Sequence, residues 1–257
     1  MFGINKKLKI HFIGIGGIGM SGIAQVLVKL GYSVSGSDLS ENANVISLKE
    51  QGVTIYKGHS CSNIQDVQIV VYSSAIDPKN PEVVKAKELK IPIIKRAEML
   101  AELMRLKYGI AIAGSHGKTT TTSFVSTIFQ SLDQKPTCIV GGVVKNLGGQ
   151  AVHGEGEYII AEADESDGSF LFLNPIMSVI TNIDNDHMDY YKTEENIKKA
   201  FKKFSNKVPF YGQVVLNAND KNSVELISKL RRPYVTYGVE NIEKYREQVD
   251  YLATDIK

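Results

Sequence analysis

One segment of the chain reads Gly114-Ser115-His116-Gly117-Lys118-Thr119-Thr120. A strand-like apolar run at 108–113 precedes it, and a helix-like run at 120–132 follows it. A strand that turns through glycines into a helix leaves several backbone N–H groups aimed at one point, where the helix dipole favours a phosphate. Lys118 adds positive charge for the outer phosphates, and the Thr119 hydroxyl can ligate magnesium. The segment therefore predicts a nucleoside triphosphate site within an α/β domain.

One residue departs from the full phosphate-binding pattern. Ile112 stands where that pattern has its first glycine, so the segment is a shortened variant. The alternative interpretation is an ordinary glycine turn that carries a surface lysine.

A second glycine-rich turn lies near the start of the chain. The strand-like run 9–13 is followed by Gly14-Ile15-Gly16-Gly17-Ile18-Gly19, and apolar residues at helical spacing come next. The following strand-like run, 32–37, ends at Asp38, roughly twenty residues beyond the glycines. This is the order of a Rossmann-like unit, in which glycines admit a diphosphate and the acid accepts hydrogen bonds from a ribose. A glycine turn needed only for tight strand–helix packing is the alternative.

Hydroxyl side chains follow another strand-like run of the first hundred residues. That run covers 69–72, and Ser73-Ser74-Ala75 come directly after it. Open α/β sheets bind ligands at the carboxyl ends of their parallel strands, so Ser73 is a candidate substrate contact. A turn or a helix cap is the alternative for either serine.

The order of these runs predicts an α/β fold with two domains. Helical runs at 82–89 and 97–106 flank the strand-like run 91–94, and the pattern starts again after residue 107. We expect a Rossmann-like parallel-sheet domain at 1–107, followed by a P-loop α/β ATPase domain at 108–257. The further strands expected in the second domain are 137–140, 158–161, 178–182, 213–217 and 234–237, and its further helices are 194–204 and 222–229.

Composition narrows the class of protein. The chain has 257 residues, 43% hydrophobic residues and a formal net charge of +2. This balance lacks the basic excess of a nucleic-acid-binding protein. Cys61 and Cys138 lie far apart without metal-ligand spacing, which favours a reduced, cytoplasmic protein. Glycines within the apolar run 10–27 argue against a secretory signal, and no other run is long and apolar enough to cross a membrane.

An acidic segment follows the strand-like run 158–161. It reads Glu162-Ala163-Asp164-Glu165-Ser166-Asp167, and such a cluster is often a solvated surface run. In a domain that binds a triphosphate, carboxylates beside the phosphates are needed to hold and orient magnesium. The segment is therefore a candidate metal site.

A histidine segment follows the next expected strand and reads Thr181-Asn182-Ile183-Asp184-Asn185-Asp186-His187-Met188-Asp189. An imidazole with flanking acids can hold a second divalent ion, although a lone histidine is more often structural or at the surface. His116 either shapes its loop or approaches substrate. His11, His59 and His153 have no comparable neighbours in the sequence and receive no role.

Three separated segments resemble those of the Mur ligases, the ATP-dependent amide-forming enzymes of peptidoglycan assembly. They are the phosphate-binding segment 114–120, the acidic segment 162–167 and the histidine segment 181–189. Within that family the start of the chain, 10–21, resembles the member that adds L-alanine to UDP-N-acetylmuramate. Gly36-Ser37-Asp38 and Ser73-Ser74-Ala75-Ile76 resemble it as well.

The resemblance implies a role for each candidate residue. The phosphate-binding segment would bind ATP, and Lys118 would steady the transferring phosphoryl group. Thr119 and Glu162 would hold magnesium (or manganese), and His187 would hold a second metal, so that Lys118, Glu162 and His187 are the expected catalytic residues. Glu162 is preferred to Glu165 because it aligns with the family's first acid. The expected contacts with the UDP substrate are Gly14, Gly16, Gly17, Ile18, Gly19, Asp38 and Ser73.

The implied reaction joins L-alanine to the carboxylate of UDP-N-acetylmuramate through an acyl phosphate. Metals and Lys118 would neutralise charge so that two anions can meet in line. As partners we expect these substrates, no nucleic acid and no membrane insertion. The protein itself is expected to be a cytoplasmic monomer or weak dimer.

Members of this family are much longer than a chain that ends at Lys257. We therefore expect a fragment that lacks the rest of its central domain and a third domain, and that does not complete ligation alone. The alternatives are a truncated UDP-sugar-binding module without catalysis, a related ligase for another amino acid or peptide, and a dinucleotide-dependent dehydrogenase. The dehydrogenase explains neither Lys118 and Thr119 nor the acidic and histidine segments.

Overall fold

The computed structural model describes residues 8–144, 149–239 and 249–255. The chain divides into two compact units. One comprises Met1–Leu100 and Thr137–Glu155, and the other comprises Ala101–Pro136 and Gly156–Lys257. Within the described ranges, no helix has the combination of length and apolar character that a membrane span requires.

The first unit contains a parallel sheet. Its strands are β1 (Lys9–Ile13), β2 (Ser33–Asp38), β3 (Thr54–Lys57), β4 (Ile69–Tyr72) and β5 (Ile93–Lys95), in the order β3-β2-β1-β4-β5. Its helices are α1 (Ile18–Lys29), α2 (Ala43–Glu50) and α3 (Pro81–Glu88), and α4 (Arg96–Met104) passes into the second unit. Residues 10–13 of the central strand β1 are buried, as expected for a parallel strand covered on both faces.

The second unit contains the other parallel strands. They are β6 (Tyr108–Ala113), β9 (Tyr158–Glu162), β10 (Met177–Ile180), β11 (Gln213–Asn217), β12 (Tyr234–Val239) and β13 (Tyr251–Ala253). They lie in the order β13-β12-β11-β10-β6-β9. The helices are α5 (Lys118–Ser131), α6 (Met188–Tyr191), α7 (Glu194–Ser205) and α8 (Lys221–Ile227). The antiparallel strands β7 (Thr137–Val144) and β8 (Gly149–Val152) fall within the first unit.

Helix α7 shows how local sequence sets these elements. The Thr193 side chain accepts a hydrogen bond from the Asn196 N–H and caps the first turn. Acidic residues occupy that first turn and lysines occupy the last turn, which complements the helix dipole. Ile197, Phe201 and Phe204 recur on one face and are buried.

The expected α/β class is confirmed, and every strand and helix expected from the sequence is present with small shifts of its ends. Helix α5, for example, begins at Lys118 and therefore includes the lysine and threonine of the loop. The short elements β3, α2, β8, α6 and β13 were not expected. Strand β3 has four residues, three of them exposed, so it gives no apolar alternation to detect.

Candidate active site

The phosphate-binding loop joins β6 to α5 through two glycines with positive φ. Gly114 has φ of +144° and Gly117 has φ of +78°. A Cβ on Gly114 would lie 1.9 Å from the Thr181 hydroxyl oxygen, so a larger residue does not fit there. A Cβ on Gly117 would meet no described atom within 4 Å, so only its backbone angle favours glycine.

Polar residues that follow β10 hold this loop in place. Asn182 Oδ1 accepts a hydrogen bond from the His116 N–H at 2.9 Å, and Asn182 Nδ2 donates to the His116 carbonyl at 3.0 Å. The Thr181 hydroxyl donates to the same carbonyl at 2.6 Å. The His116 imidazole is exposed, with Nε2 3.4 Å from Asp184 Oδ2. His116 is thus held through its backbone by Thr181 and Asn182, and the sequence does not indicate this role for either residue.

Lys118 is the first residue of α5, and its ammonium group contacts the backbone of the phosphate-binding loop. Its Nζ donates to the Gly114 carbonyl at 2.7 Å and to Glu165 Oε1 at 2.9 Å. Glu165 is fully buried and Lys118 is 15% exposed, so solvent screens this ion pair only weakly. Burial raises the pKa of Glu165 above its ordinary value, and the hydrogen bond from Lys118 opposes that rise.

The other carboxylate oxygen of Glu165 is the unusual feature of this pair. Oε2 is buried and has no hydrogen-bond partner among the described residues. An unpaired buried acceptor costs free energy, so this oxygen suits a cation or a donor from a bound molecule. The metal ligand expected from the sequence is Glu162 and not Glu165. In the structure the two carboxylates contact different side chains, Thr119 in the case of Glu162 and Lys118 in the case of Glu165.

Thr119 and Glu162 form a second contact next to Lys118. The Thr119 hydroxyl oxygen lies 3.0 Å from Oε2 and 3.2 Å from Oε1 of Glu162. Glu162 ends β9, which pairs in parallel with β6, and Thr119 stands in the first turn after the β6 loop. Neighbouring parallel strands therefore bring the two residues to the same edge of the sheet.

His187 approaches Glu165. Its Nε2 lies 3.4 Å from Glu165 Oε1 and 3.7 Å from Asp186 Oδ2. His187 has φ of +56° at the start of α6, and the Tyr191 hydroxyl at the end of that helix donates to the Glu165 carbonyl at 2.5 Å. Burial and the nearby Glu165 raise the pKa of Tyr191, so the hydroxyl keeps its proton. Nothing in the sequence indicates the contact of Tyr191 with Glu165, because the two residues lie 26 positions apart.

These residues make two donor pairs, Thr119 with Glu162 and His187 with Glu165. Within the described ranges, no group of three His, Cys, Asp or Glu side chains is arranged to hold a metal. Magnesium commonly takes one or two carboxylates from the protein and completes its shell with water and phosphate oxygens. The hydroxyl, the carboxylates and the unpaired Glu165 oxygen fit a metal bound in that shared manner.

The glycine turn of the first unit is held by the end of β2. The Gly14 and Ile15 N–H groups both donate to the Ser37 carbonyl, at 2.8 and 3.0 Å. The Gly16 N–H donates to Asp38 Oδ2 at 2.8 Å. These groups are therefore engaged within the turn, and the N–H groups left for an anion are those of the first turn of α1, which have no partner within the helix.

Asp38 and Ser73 both lie next to this turn. Asp38 Oδ1 accepts from the Ser40 N–H at 3.0 Å, so both of its oxygens already bond to the backbone. Ser73 begins the turn after β4, and its carbonyl accepts from the Ile76 N–H at 3.1 Å. The Ile76 Cδ1 would be 3.3 Å from a Cβ on Gly14, which places the 73–76 turn beside the glycines.

A cation that the sequence did not single out lies at the start of α1. Arg96 opens helix α4, and its Nη1 would be 3.0 Å from a Cβ on Gly19. The guanidinium group is thus beside the helix end where the N–H groups collect. No pattern in the sequence links residue 96 to the first glycine turn, so the sequence does not predict this proximity.

Two family models match the chain. The Mur ligase family, catalytic domain, matches residues 9–108, and the Mur ligase middle domain matches residues 112–255. The UDP-N-acetylmuramate--L-alanine ligase of Aquifex aeolicus is 53% identical over 95% of this chain and 54% of the relative. The chain therefore spans about half the length of the curated relatives it matches.

Solved structures agree with this relationship. The UDP-N-acetylmuramate-alanine ligase of Thermotoga maritima has a TM-score of 0.81 and 33% identity, covering 91% of this chain and 53% of that one. A murein peptide ligase of Psychrobacter arcticus has a TM-score of 0.84 at 23% identity over 97% of this chain and 56% of that one, and shows the fold.

Proposed function

The chain belongs to the Mur ligase family, and on that premise we propose that it supplies the UDP-sugar and ATP-phosphate sites of a ligase that joins L-alanine to UDP-N-acetylmuramate. The contact of Lys118 and His187 with one buried carboxylate, Glu165, carries the proposal. A general P-loop hydrolase needs no histidine at that place. The names of similar relatives support L-alanine as the amino acid.

ATP binds at the 114–120 loop in this proposal. Lys118 turns its ammonium group from the Gly114 carbonyl towards the γ-phosphate. Thr119 and Glu162 hold magnesium or manganese, and His187 with Glu165 holds a second ion. When bound, the metal neutralises phosphate charge and favours in-line transfer.

The chemistry explains why these charges are needed. A carboxylate does not accept an amine at neutral pH, because its leaving group would be oxide. Transfer of the γ-phosphoryl group of ATP to the carboxylate gives ADP and an acyl phosphate with a good leaving group. The free amine of L-alanine attacks, and the tetrahedral species collapses to amide and phosphate. Lys118 lowers the repulsion between the two anions that must first meet.

The UDP moiety binds at the first glycine turn in this proposal. The first turn of α1 supplies N–H groups, and Arg96 supplies positive charge for the diphosphate. Asp38 shapes the turn through Gly16 and, with Ser73, faces the uridine.

The matched family ranges support a functional division into 1–107 and 108–257. A cytoplasmic location follows from the use of ATP and a UDP-sugar as substrates. A monomer or weak dimer is the proposed state.

The test measures phosphate release and amide product with ATP, magnesium, UDP-N-acetylmuramate and L-alanine. It compares this chain with one extended to the length of its relatives. L-Alanine-dependent product from the extended chain supports the proposal, and product only with another amino acid indicates a related ligase. Absence of product from both chains contradicts ligase function, and tight NADH binding by this chain would contradict the assignment of its first unit.

A further inference from the structure

The first unit contains a buried polar cluster. Its centre is Glu82 on α3, whose side chain is fully buried, as is that of His11 on β1. Ser37 on β2 is buried, and His59 and Asn63 come from the segment between β3 and β4. The sequence around His11 and His59 indicates no role for either residue.

Both oxygens of the Glu82 carboxylate are fully used. Oε1 accepts from Asn63 Nδ2 at 2.7 Å and from His11 Nε2 at 3.3 Å. Oε2 accepts from the Ser37 hydroxyl at 2.6 Å and from His59 Nδ1 at 2.8 Å. The second His11 nitrogen, Nδ1, lies 3.0 Å from the Ser35 hydroxyl, which can donate to it. One carboxylate thus ties together β1, β2, α3 and the segment after β3.

The hydrogen bonds accepted by Glu82 determine its charge state. Burial by itself raises the pKa of a carboxyl group, but hydrogen bonds from His11, Ser37, Asn63 and His59 outweigh it and leave the pKa of Glu82 below its ordinary value. Glu82 is therefore an ionised acceptor at neutral pH. Hydrogen bonds to an ionised acceptor are stronger than neutral ones.

Ser37 connects this cluster to the glycine turn. Its hydroxyl donates to Glu82, while its carbonyl accepts from the Gly14 and Ile15 N–H groups. The next residue, Asp38, accepts from the Gly16 N–H. The N–H groups of Gly14, Ile15 and Gly16 are therefore all held by Ser37 or by the next residue, Asp38.

We propose that Glu82 is a positioning residue for the nucleotide substrate, because it fixes Ser37 and thereby the turn that presents the start of α1 to a diphosphate. Glu82 does not contact the substrate. The proposal rests on the proposed function, in that the diphosphate belongs to a UDP-sugar.

The test compares the wild type with Glu82→Gln, Ser37→Ala and the double variant. Ser35→Ala is the matched control, since Ser35 is a buried serine of the same strand that bonds to His11 but not to Glu82. Calorimetry gives the dissociation constants for UDP-N-acetylmuramate and, separately, for magnesium-ATP. Thermal unfolding and circular dichroism show that each variant is folded.

We expect Glu82→Gln to weaken UDP-N-acetylmuramate binding about 10-fold, as for loss of a charged hydrogen bond. Ser37→Ala should weaken it by a similar factor, and the double variant should bind no worse than either single variant, because both changes remove the same link. ATP binding should stay unchanged, and Ser35→Ala should bind both ligands as the wild type does.

A pH series separates positioning from a general loss of structure. As pH falls through the pKa of Glu82, UDP-N-acetylmuramate affinity of the wild type should approach that of Glu82→Gln, which does not titrate there. The other ionisable side chains in contact with Glu82 are His11 and His59, and they are present in both proteins. A constant affinity ratio across the series would contradict the proposal.

The outcomes also distinguish this inference from the proposed function. If the wild type binds UDP-N-acetylmuramate and folded Glu82→Gln binds it equally well, the positioning role alone is wrong. If Glu82→Gln does not fold, wild-type affinity in Ser37→Ala overturns the role instead. If the wild type does not bind the UDP-sugar, both the proposed function and this inference fail.

Discussion

In the first unit the turn at 14–17 is held by acceptors at the end of β2, namely the Ser37 carbonyl and the Asp38 carboxylate. In the second unit the loop at 114–117 is held by the Thr181 and Asn182 side chains at the end of β10. Both holding strands are parallel neighbours of the strand that leads into the glycines. The two loops therefore share an architecture and differ in the groups that surround them.

The difference lies in charge. The first turn, 14–19, has no ionisable side chain of its own, and its charged neighbours Arg96 and Asp38 come from other elements. The second loop leads directly into Lys118 and Thr119, which already contact Glu165 and Glu162. The first arrangement suits holding a diphosphate, and the second suits moving a phosphoryl group.

Replacing the first glycine of each loop by alanine should give the largest difference in stability between the two loops. We expect Gly114→Ala to lower the free energy of unfolding by roughly 4 kcal/mol, because it combines a positive φ with a Cβ 1.9 Å from the Thr181 oxygen. Gly14→Ala should cost roughly 1–2 kcal/mol, since it meets only the flexible end of Ile76 at 3.3 Å. Urea unfolding followed by circular dichroism measures both.

Gly117→Ala is the control within the second loop. It has a positive φ but no described atom within 4 Å of its Cβ, so about 1 kcal/mol is expected. Equal costs for Gly114→Ala and Gly117→Ala would mean that Thr181 moves aside freely and does not fix the loop.

Lys118→Met tests the chemical role assigned to the second loop. We expect about a 10²-fold fall in turnover or more, by analogy with loss of one donor to a developing negative charge. Phosphate release by the extended chain, with saturating substrates, measures it. Lys199→Met is the control, because Lys199 pairs with Glu195 on the surface of α7. A change of less than threefold in Lys118→Met would leave the loop as a binding site only.

Acid should weaken the first unit through Glu82. Because its folded-state pKa is lowered, the stability that its hydrogen bonds contribute is present above the unfolded-state pKa and is lost as pH falls through the folded-state pKa. At neutral pH we expect Glu82→Gln to cost about 2 kcal/mol. Urea unfolding at pH 7 and at successively lower pH should show this difference shrinking. A difference that grows on acidification would contradict an ionised Glu82.

The two sites were also unequally predictable from the sequence. Lys118, Thr119 and Glu162 could be found because strand, glycines and helix follow each other within a short window, and because the acid ends a neighbouring strand. Arg96 and Glu82 could not, since each reaches its site through the strand order β3-β2-β1-β4-β5, which places distant segments side by side. The contacts of His187 and Tyr191 with Glu165, which distinguish it from Glu162, likewise join residues of separate segments.

The smallest expected effect concerns the carbonyl that each loop offers to two side-chain donors. In the second loop the His116 carbonyl accepts from Thr181 and Asn182, and in the first turn the Gly16 carbonyl accepts from Asn42 Nδ2 at 3.1 Å and Asn44 Nδ2 at 2.9 Å. Because Asn42 still donates, Asn44→Ala should cost only about 0.5 kcal/mol. Asn42→Ala should cost about 1 kcal/mol, since Asn42 also caps α2 by accepting from the Val45 N–H. The double variant leaves the carbonyl without either donor, so its cost should exceed the sum of the single costs. Additive costs in urea unfolding would instead mean that water replaces both donors and that the first turn does not depend on them.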